Sequence, residues 1–373
     1  MRTTRTGTTG RFGIVAAAAV LAIAAVLAIA ACGKDQAGSG GAPAKVAAPM
    51  DVSLTGAGAT FQYPLMSKWS AEYGKANPNV RVNYQSIGSG GGIRQITART
   101  VQFGATDGPM TDAQMAEAKA PILHVPVTLG AVAVAVNLPG VQKSLDLAGP
   151  VLADIFLGSI RRWNDPAIAK TNPGVELPDR EITVVHRSDG SGTTYIFVDF
   201  LSKVSVDWKV KVGVATSVNW PAGLGAKGNE GVAGTVRQTP GAIGYVELTY
   251  ALQNGISTAR VQNPEGEFVA PSVESVTLAA AGASANLPDD LRVSITNAPG
   301  SGAYPISGFS WVLVYREQQD CDAAAALARF LWWGVHEGQA FAPALHYAPL
   351  AQGVVARCEA KLKSVTCGGK PLL

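Results

Sequence analysis

The amino-acid sequence predicts an α/β fold with a largely parallel sheet, in a chain that is long enough for two lobes. Short β-like runs alternate with helical patterns along most of the chain, which is typical of strand–helix–strand units. The 42 glycines and 22 prolines suit many short connections. The length of 373 residues exceeds the roughly 250–300 residues that one hydrophobic core usually organises.

The predicted elements follow one another from residue 51 onward. The predicted strands are Asp51–Leu54, Val80–Tyr84, Phe103–Ala105, Pro121–Pro126, Ala131–Val136, Ile182–His186, Ala242–Val246 and Phe309–Tyr315. The predicted helices are Phe61–Ala76, Gly92–Thr100, Ser191–Leu201 and Cys321–Trp333. The strand–helix order of the first half recurs in the second half, so one architecture is expected throughout.

Residues 1–31 are predicted to be a lipoprotein signal peptide. Three arginines and no acidic residue precede an almost wholly apolar stretch, residues 12–31, which ends in Ala30, Ala31 and Cys32. Small residues before Cys32 suit cleavage, and its thiol would take the lipid that anchors the protein to a membrane. The alternative is a transmembrane anchor of marginal length. Residues 32–50 are predicted to be the lipidated cysteine and a flexible Gly/Ala/Ser/Pro-rich tether.

The charge balance excludes a nucleic-acid binder of the usual basic kind. The chain has 30 basic and 27 acidic residues, and three of the basic ones lie in residues 1–31. The remainder therefore carries 27 of each sign, with no net positive field. An anionic ligand would have to be held by specific local groups.

Cysteine usage agrees with export from the cytoplasm. Cys321, Cys358 and Cys367 remain after Cys32, so at most one internal disulfide forms. Cys358 with Cys367 is plausible, and Cys321 with either of them is also possible. Because the chain has no CxxC motif and no paired Cys/His spacing, we expect no metal site, and the sequence indicates no cofactor.

Three glycine-rich turns share one design, since each follows a predicted strand, precedes a predicted helix and contains hydroxyl residues. They are Gly56–Phe61, Gly88–Gly92 and Arg187–Thr194. A helix N-terminus presents unpaired backbone N–H groups and a partial positive charge. Glycines let the backbone close on an anion, and hydroxyl groups add donors. Together the three turns predict a shared anion site.

Each turn also has a plainer interpretation. A Ser or Thr before a helix is usually an N-cap. Arg187 suits oxyanions because its guanidinium is a fork of donors, but it could instead form a surface salt bridge with Asp189. Both interpretations can hold together, because residues two apart on a strand face the same side and Asp189 could fix the guanidinium.

Asp107 is the most informative residue of this group. It follows a predicted strand, where a carboxylate would repel an anion, and it could simply begin a turn. An anion that carries a proton could instead donate to it. Phosphate near neutral pH keeps at least one O–H, because its second pKa is roughly 6–7. Sulfate has no such proton, so Asp107 would select against it.

Six segments of the sequence resemble the bacterial phosphate-binding proteins of ABC importers, the PstS family. The resemblance covers nearly the whole chain after the predicted signal. The segments are Leu54–Phe61, Tyr84–Gly92, Phe103–Pro109, Arg187–Thr193, Trp220–Asn229 and Pro240–Glu247.

This resemblance implies a two-lobed periplasmic binding protein fold of type II. Each lobe would be a mixed, mostly parallel sheet flanked by helices, and two strands would form the hinge. We expect residues 51–128 plus 307–373 to form lobe I and residues 129–306 to form lobe II. The implied partners are inorganic phosphate and the permease subunits of an importer, and the implied state is a monomer outside the cytoplasm.

The resemblance also implies the residues that hold the ligand. Lobe I would contribute Thr60, the backbone N–H of Phe61, Ser89 and Asp107. Lobe II would contribute Arg187, Ser191, Gly192 and Thr193. Asp189 would steer Arg187, and Gly90 would support the second turn, at a position where some relatives have a serine.

Besides an adhesion or surface-interaction role, for which the sequence offers no identifiable exposed aromatic residues, two alternatives remain open at this point. The first is a hydrolase acting on phosphate esters, but neither Ser89 nor Ser191 lies in a G-x-S-x-G motif, and the histidines show no ligand or catalytic spacing. The four histidines of the chain are expected to be structural or exposed. They are His124, His186, His336 and His346. The second is a binding protein for another oxyanion, such as sulfate or molybdate, which Asp107 disfavours.

Overall fold

The computed structural model describes residues 51–283 and 287–373. The predicted signal peptide, Cys32 and the tether lie outside these residues. The strands are β1 (Val52–Gly58), β2 (Val80–Ser86), β3 (Phe103–Thr106), β4 (Ile122–Asn137), β5 (Asp146–Leu147), β6 (Thr183–Arg187), β7 (Leu224–Ala226), β8 (Ala242–Glu247), β9 (Ser257–Thr258), β10 (Arg260–Gln262), β11 (Phe268–Val269), β12 (Ser307–Tyr315), β13 (Glu317–Gln318), β14 (Thr366–Cys367) and β15 (Lys370–Pro371).

The helices flank these strands and alternate with them along the chain. They are α1 (Tyr63–Ala76), α2 (Ser89–Thr97), α3 (Asp112–Glu117), α4 (Gly149–Phe156), α5 (Pro166–Thr171), α6 (Gly192–Val204), α7 (Val206–Lys211), α8 (Gly228–Gln238), α9 (Leu248–Gln253), α10 (Val273–Ala283), α11 (Cys321–Val335) and α12 (Gln352–Lys363), with 3-10 helices at Glu337–Phe341 and Pro343–Leu345. In this part of the chain, no helix has both the length and the apolar character needed to span a membrane.

The main sheet of the described residues is mixed. Its strand order is β2-β1-β3-β12-β4-β8-β6-β7, and β9 also pairs with β4. The strand β1 runs parallel to β2 and β3, and β6 runs parallel to β7 and β8. The strands β12 and β4 are antiparallel to their neighbours in the middle of the sheet. The expected α/β fold with mixed sheets is confirmed.

The strand β4 connects the two ends of this sheet. Ile122–Ala131 pairs with β12, whereas Val132–Asn137 pairs with β8. The sequence predicted two separate strands here, and that prediction is wrong because residues 127–130 also stay extended and buried. Pro126, which has no N–H to donate, lies beside a register shift in the pairing with β12. The lobe boundaries at 128/129 and 306/307 stay a prediction.

The helix α1 shows how apolar spacing builds the core at one end of the sheet. Leu65, Trp69 and Tyr73 recur every four residues and are buried on one face. The Trp69 ring packs edge-on against Phe330 and Trp333 of α11, with ring centroids 6.5 and 6.2 Å away. Its indole N–H is satisfied by a carbonyl oxygen of the neighbouring 3-10 helix, at 2.8 Å.

One disulfide joins Cys321 to Cys367, with Cα atoms 5.5 Å apart. Pairing of β13 with β14 brings Cys367 beside the start of α11, where Cys321 lies. Cys358 is a buried free thiol on α12, and its Sγ contacts the carbonyl oxygen of Pro126 at 3.5 Å. Of the pairings that the sequence left open, Cys358–Cys367 is therefore wrong.

The three glycine-rich turns all leave the carboxyl ends of parallel strands. Gly58 ends β1, Gly88 follows β2, and Arg187 ends β6. Asp107 directly follows β3, which is parallel to β1. Carboxyl ends of parallel strands are where α/β folds usually bind ligands. The ends of β1, β2 and β3 lie at one such edge, whereas β6 runs in the opposite direction, so its turn approaches the cluster from the other half of the sheet.

Candidate anion-binding site

The backbone of the turn between β1 and α1 is fixed by a close contact with β3 and by two hydrogen bonds to its carbonyl oxygens. Gly58 has φ +147°, and a Cβ atom there would lie 2.1 Å from a carbonyl oxygen of β3, so only glycine permits this approach. The Tyr250 hydroxyl donates to the carbonyl oxygen of Thr60 at 2.7 Å. The Tyr347 hydroxyl donates to that of Phe61 at 2.5 Å. These bonds fix the direction in which the buried Thr60 side chain leaves the turn.

Ser89 begins α2 and connects two of the turns. Its Oγ accepts from the backbone N–H of Asp107 at 3.2 Å and from that of Gly192 at 3.0 Å. Its hydroxyl also lies 3.4 Å from Asp107 Oδ2, to which it donates. Next to it, the Gly90 N–H donates to the carbonyl oxygen of Gly190 at 2.9 Å. The second and third turns are therefore in direct contact.

Asp107 is a buried carboxyl group to which no cation of the described residues is directly bonded. Asp107 is 2% exposed, and the Ser310 hydroxyl donates to its Oδ1 at 2.6 Å. Burial raises the pKa of Asp107 to about 7, although the bonds from Ser310 and Ser89 and the charge of Arg187 act in the opposite direction. Near neutral pH this group can therefore accept a proton or give one up.

Arg187, at the end of β6, forms a two-bond ion pair with Asp189. Its Nε and Nη2 lie 2.8 and 2.7 Å from the two carboxylate oxygens. The guanidinium side chain is only 1% exposed, so the pair is not a surface salt bridge. The remaining Nη1 donates to Thr60 Oγ1 at 3.3 Å and to Thr193 Oγ1 at 3.5 Å.

The environment of Asp189 differs from that of Asp107. Burial alone would raise the pKa of Asp189, but the hydrogen bonds and charge of Arg187 outweigh it and hold the pKa below its usual value. The backbone N–H of Gly228 also donates to Asp189 Oδ1 at 3.1 Å. Asp189 is therefore ionised at neutral pH and fixes the orientation of Arg187.

The start of α6 combines capping with a close approach to Asp107. Ser191 Oγ accepts from the Thr194 N–H at 3.0 Å, so the plainer N-cap interpretation is right for this oxygen. A Cβ atom on Gly192 would lie 2.5 Å from Cβ of Asp107. Glycine at 192 is thus what lets the N-terminus of α6 reach the end of β3.

Two further residues belong to this cluster and were not predicted. Asn229, at the start of α8, donates through its side chain to Thr60 and Thr193. Ser310 on β12 donates to Asp107. Asn229 does lie in one of the six family-like segments, but no local pattern marks its role. Ser310 lies inside a strongly apolar strand, where a single serine gives no signal in the sequence.

The predicted site residues converge. Direct hydrogen bonds link Arg187 to Thr60 and Thr193, and a second set links Ser89 to Asp107 and Gly192. The two sets are joined because Gly192 and Thr193 are adjacent in the chain, and Phe61 and Ser191 are chain neighbours of the cluster. The cluster combines one arginine, whose charge is balanced by Asp189, with hydroxyl and N–H donors and a carboxyl group that titrates near neutral pH. Such a set suits a small oxyanion that carries a proton.

The hydroxyl groups of this cluster do not form a hydrolase-like arrangement. Within residues 51–283 and 287–373, neither Ser89 nor Ser191 bonds to a histidine. His186, which precedes Arg187, stacks on Trp220 with ring centroids 4.8 Å apart. His124 accepts from the Met110 N–H in the interior at 3.1 Å, as expected for a structural histidine.

Comparison with known proteins gives the family. A family model described as a PBP superfamily domain matches residues 35–334. Phosphate-binding protein PstS of Xylella fastidiosa (strain 9a5c) is 47% identical over 329 residues, which are 88% of this chain and 90% of that protein. The chain belongs to the PstS family. The resemblance carried by the six sequence segments is therefore confirmed.

Other PstS relatives and solved structures agree. Phosphate-binding protein PstS of Pasteurella multocida (strain Pm70) is 46% identical and covers 84% of this chain and 90% of its own. The solved phosphate-binding protein from Stenotrophomonas maltophilia has a TM-score of 0.64 over 83% of this chain and 93% of its own, at 19% identity. This likeness shows the fold, which is the two-lobed type II periplasmic binding protein fold.

Proposed function

We propose that this protein binds inorganic phosphate outside the cytoplasmic membrane and delivers it to the permease subunits of an ABC importer. One observation carries the proposal: turns from four strand ends converge on a buried cluster with a fixed guanidinium and a titratable carboxyl group. The printed names of its PstS relatives, phosphate-binding proteins, point to the same ligand.

The chemistry of the cluster favours phosphate over other tetrahedral anions. The anion would accept from Arg187, from hydroxyl groups and from backbone N–H groups. A phosphate O–H would donate to ionised Asp107, whereas sulfate would place an unprotonated oxygen against it. An unpaired buried polar group costs about 1–3 kcal/mol, and a charged group costs more.

Ligand capture would proceed by hinge closure. In this mechanism Thr60, Phe61, Ser89 and Asp107 belong to lobe I, and Arg187, Ser191, Gly192 and Thr193 belong to lobe II. Phosphate docks on one lobe, and closure about the strands that join the lobes removes water and strengthens each charge-assisted bond. The closed form presents a surface that the importer can read.

The anchor is the remaining part of the proposal. The lipoprotein-type sequence before Cys32 supports lipidation at that residue, and residues 33–50 would tether a monomeric binding domain to the membrane. Mass spectrometry of the membrane-extracted protein would find a diacylated or triacylated Cys32. An unmodified chain that retains residues 1–31 would contradict this part.

Calorimetric titration of the purified protein tests the function. We expect saturable 1:1 binding of phosphate and at least about hundredfold weaker binding of sulfate at pH 8, because the ionised Asp107 carboxylate and the sulfate oxygen that faces it would both be left unpaired. Equal affinities, or no phosphate binding, would contradict the proposal. Release of the chromophore from a chromogenic phosphate ester would favour the hydrolase alternative instead.

A further inference from the structure

Asn229 is a fully buried amide that bonds to both halves of the cluster. Its Nδ2 donates to Thr60 Oγ1 at 2.7 Å and to Thr193 Oγ1 at 3.1 Å. Its backbone N–H also donates to Thr60 Oγ1, at 3.3 Å. Thr60 follows β1 and Thr193 lies on α6, so one side chain spans the two regions that the proposed function assigns to different lobes.

The orientation of this amide is fixed by its third partner. The backbone N–H of Glu247 lies 2.9 Å from Oδ1 of Asn229. A backbone N–H can only donate, so the carbonyl end of the amide must face Glu247. The NH₂ end must then face the two threonine hydroxyl groups, which consequently act as acceptors toward Asn229.

Arg187 supplies a further donor to each of these hydroxyl oxygens. Its Nη1 lies 3.3 Å from Thr60 Oγ1 and 3.5 Å from Thr193 Oγ1. A hydroxyl oxygen has two lone pairs and one hydrogen. Because both lone pairs of each oxygen face donors, the hydroxyl hydrogen must point away from Asn229 and Arg187, toward another acceptor.

We propose, on the basis of the phosphate-binding function above, that Asn229 is a positioning residue that turns the Thr60 and Thr193 hydroxyl groups into donors to the bound anion. It does so without touching the anion. The neighbouring Gly228 N–H donates to Asp189, the partner of Arg187, at 3.1 Å. The start of α8 thus aligns both hydroxyl groups and the guanidinium.

Replacing the amide tests this role. Asn229→Ala frees both hydroxyl groups to rotate, and we expect phosphate to bind at least about tenfold more weakly, as for the loss of a bond to a charged group. Asn229→Asp keeps the shape and the acceptor for Glu247 but draws the hydroxyl hydrogens toward the new carboxylate. Its phosphate affinity should be lower still at pH 8 and should recover toward that of the parent as the pH falls, which Asn229→Ala should not do.

A double-mutant cycle with Thr193→Val separates positioning from a general structural effect. If Asn229 acts through the Thr193 hydroxyl, the loss of phosphate affinity caused by Asn229→Ala must be at least about threefold smaller in the Thr193→Val background. The reason is that the effects of substitutions in one hydrogen-bond network are not additive. Fully additive losses would overturn the proposal.

Asn172 provides a control, because it is also a buried amide whose side chain is fully bonded, but its backbone partners belong to Asp146 and Ile168. Asn172→Ala should lower the unfolding temperature without changing phosphate affinity.

If Asn229→Ala does not fold, the isosteric Asn229→Asp carries the test. A parent protein that fails to bind phosphate would refute the proposed function; a parent that binds and Asn229 variants that bind equally well would refute this inference alone.

Discussion

Asp107 and Asp189 both belong to the cluster, but their surroundings differ. Asp189 receives two bonds from Arg187 and one from a backbone N–H, and these hold its pKa below the usual value despite burial. Asp107 receives bonds from two serine hydroxyl groups, and burial raises its pKa to about 7. Within the part of the chain that the structure describes, a cation is bonded to Asp189 and none to Asp107.

This difference indicates separate roles for the two groups. A carboxylate that is bonded to a buried guanidinium serves as its counter-ion and fixes its geometry. A buried carboxyl group without such a partner exchanges its proton near neutral pH, so it can respond to whether a ligand carries a hydrogen. We therefore expect phosphate affinity to depend mainly on Arg187 and Asp189, and selectivity for phosphate over sulfate to depend on Asp107.

The largest expected effect comes from Arg187→Ala. It removes the buried positive charge and leaves the partly buried Asp189 without its cation, so phosphate affinity should fall at least about hundredfold, in line with the loss of one partner of a desolvated charge pair. Isothermal titration calorimetry measures it. Arg260→Ala is the matched control, because Arg260 holds Asp146 by the same two-bond geometry at 2.6 Å, and it should leave phosphate affinity unchanged.

Asp107→Asn should alter the pH dependence of stability. The folded pKa of Asp107 is raised, so its stabilising contribution is fully present below the unfolded pKa of about 4 and is lost as the pH rises toward 7. Over that interval the parent should lose about 1.4 kcal/mol of unfolding free energy per pH unit from this group. Urea unfolding without phosphate should show a flatter profile for the variant; identical slopes would mean that Asp107 does not titrate as described.

Asp189→Asn should weaken phosphate binding less than Arg187→Ala does. The amide can still bond to Arg187 once, but it supplies no charge, so we expect phosphate to bind about tenfold more weakly, with the preference over sulfate retained. Asp146→Asn, which neutralises the comparable pair with Arg260, is the control. A collapse of selectivity in Asp189→Asn would contradict the separation of roles between the two carboxyl groups.

The predicted part of the site is the part that local sequence determines. A strand, a glycine-rich turn and a helix start are adjacent in the chain, so Thr60, Ser89, Asp107 and the turn after Arg187 were identifiable without a structure. Asn229 and Ser310 reach the cluster only through tertiary contacts, with sequence separations of 169 residues from Thr60 and 203 residues from Asp107, respectively. Contacts between residues so far apart in sequence produce no periodicity or spacing from which they could be predicted.

The fold shows the same limit. Most predicted strands and helices are present within a few residues of their expected bounds, because apolar patterning is local. The continuity of β4 was missed, since a strand that changes partner has no turn to mark the change. The Cys321–Cys367 bond was left open for a related reason: pairing of β13 with β14, almost 50 residues apart in sequence, decides it.

Sulfate binding as a function of pH tests the central role of Asp107 most directly. We expect the parent to reject sulfate more strongly as the pH rises through about 7, because the ionised carboxylate then faces an oxygen without a proton. Asp107→Asn can donate from its amide, so it should bind sulfate at least about tenfold more tightly than the parent at pH 8, with little pH dependence. A variant that discriminates between phosphate and sulfate as well as the parent does at every pH would contradict the role assigned to Asp107.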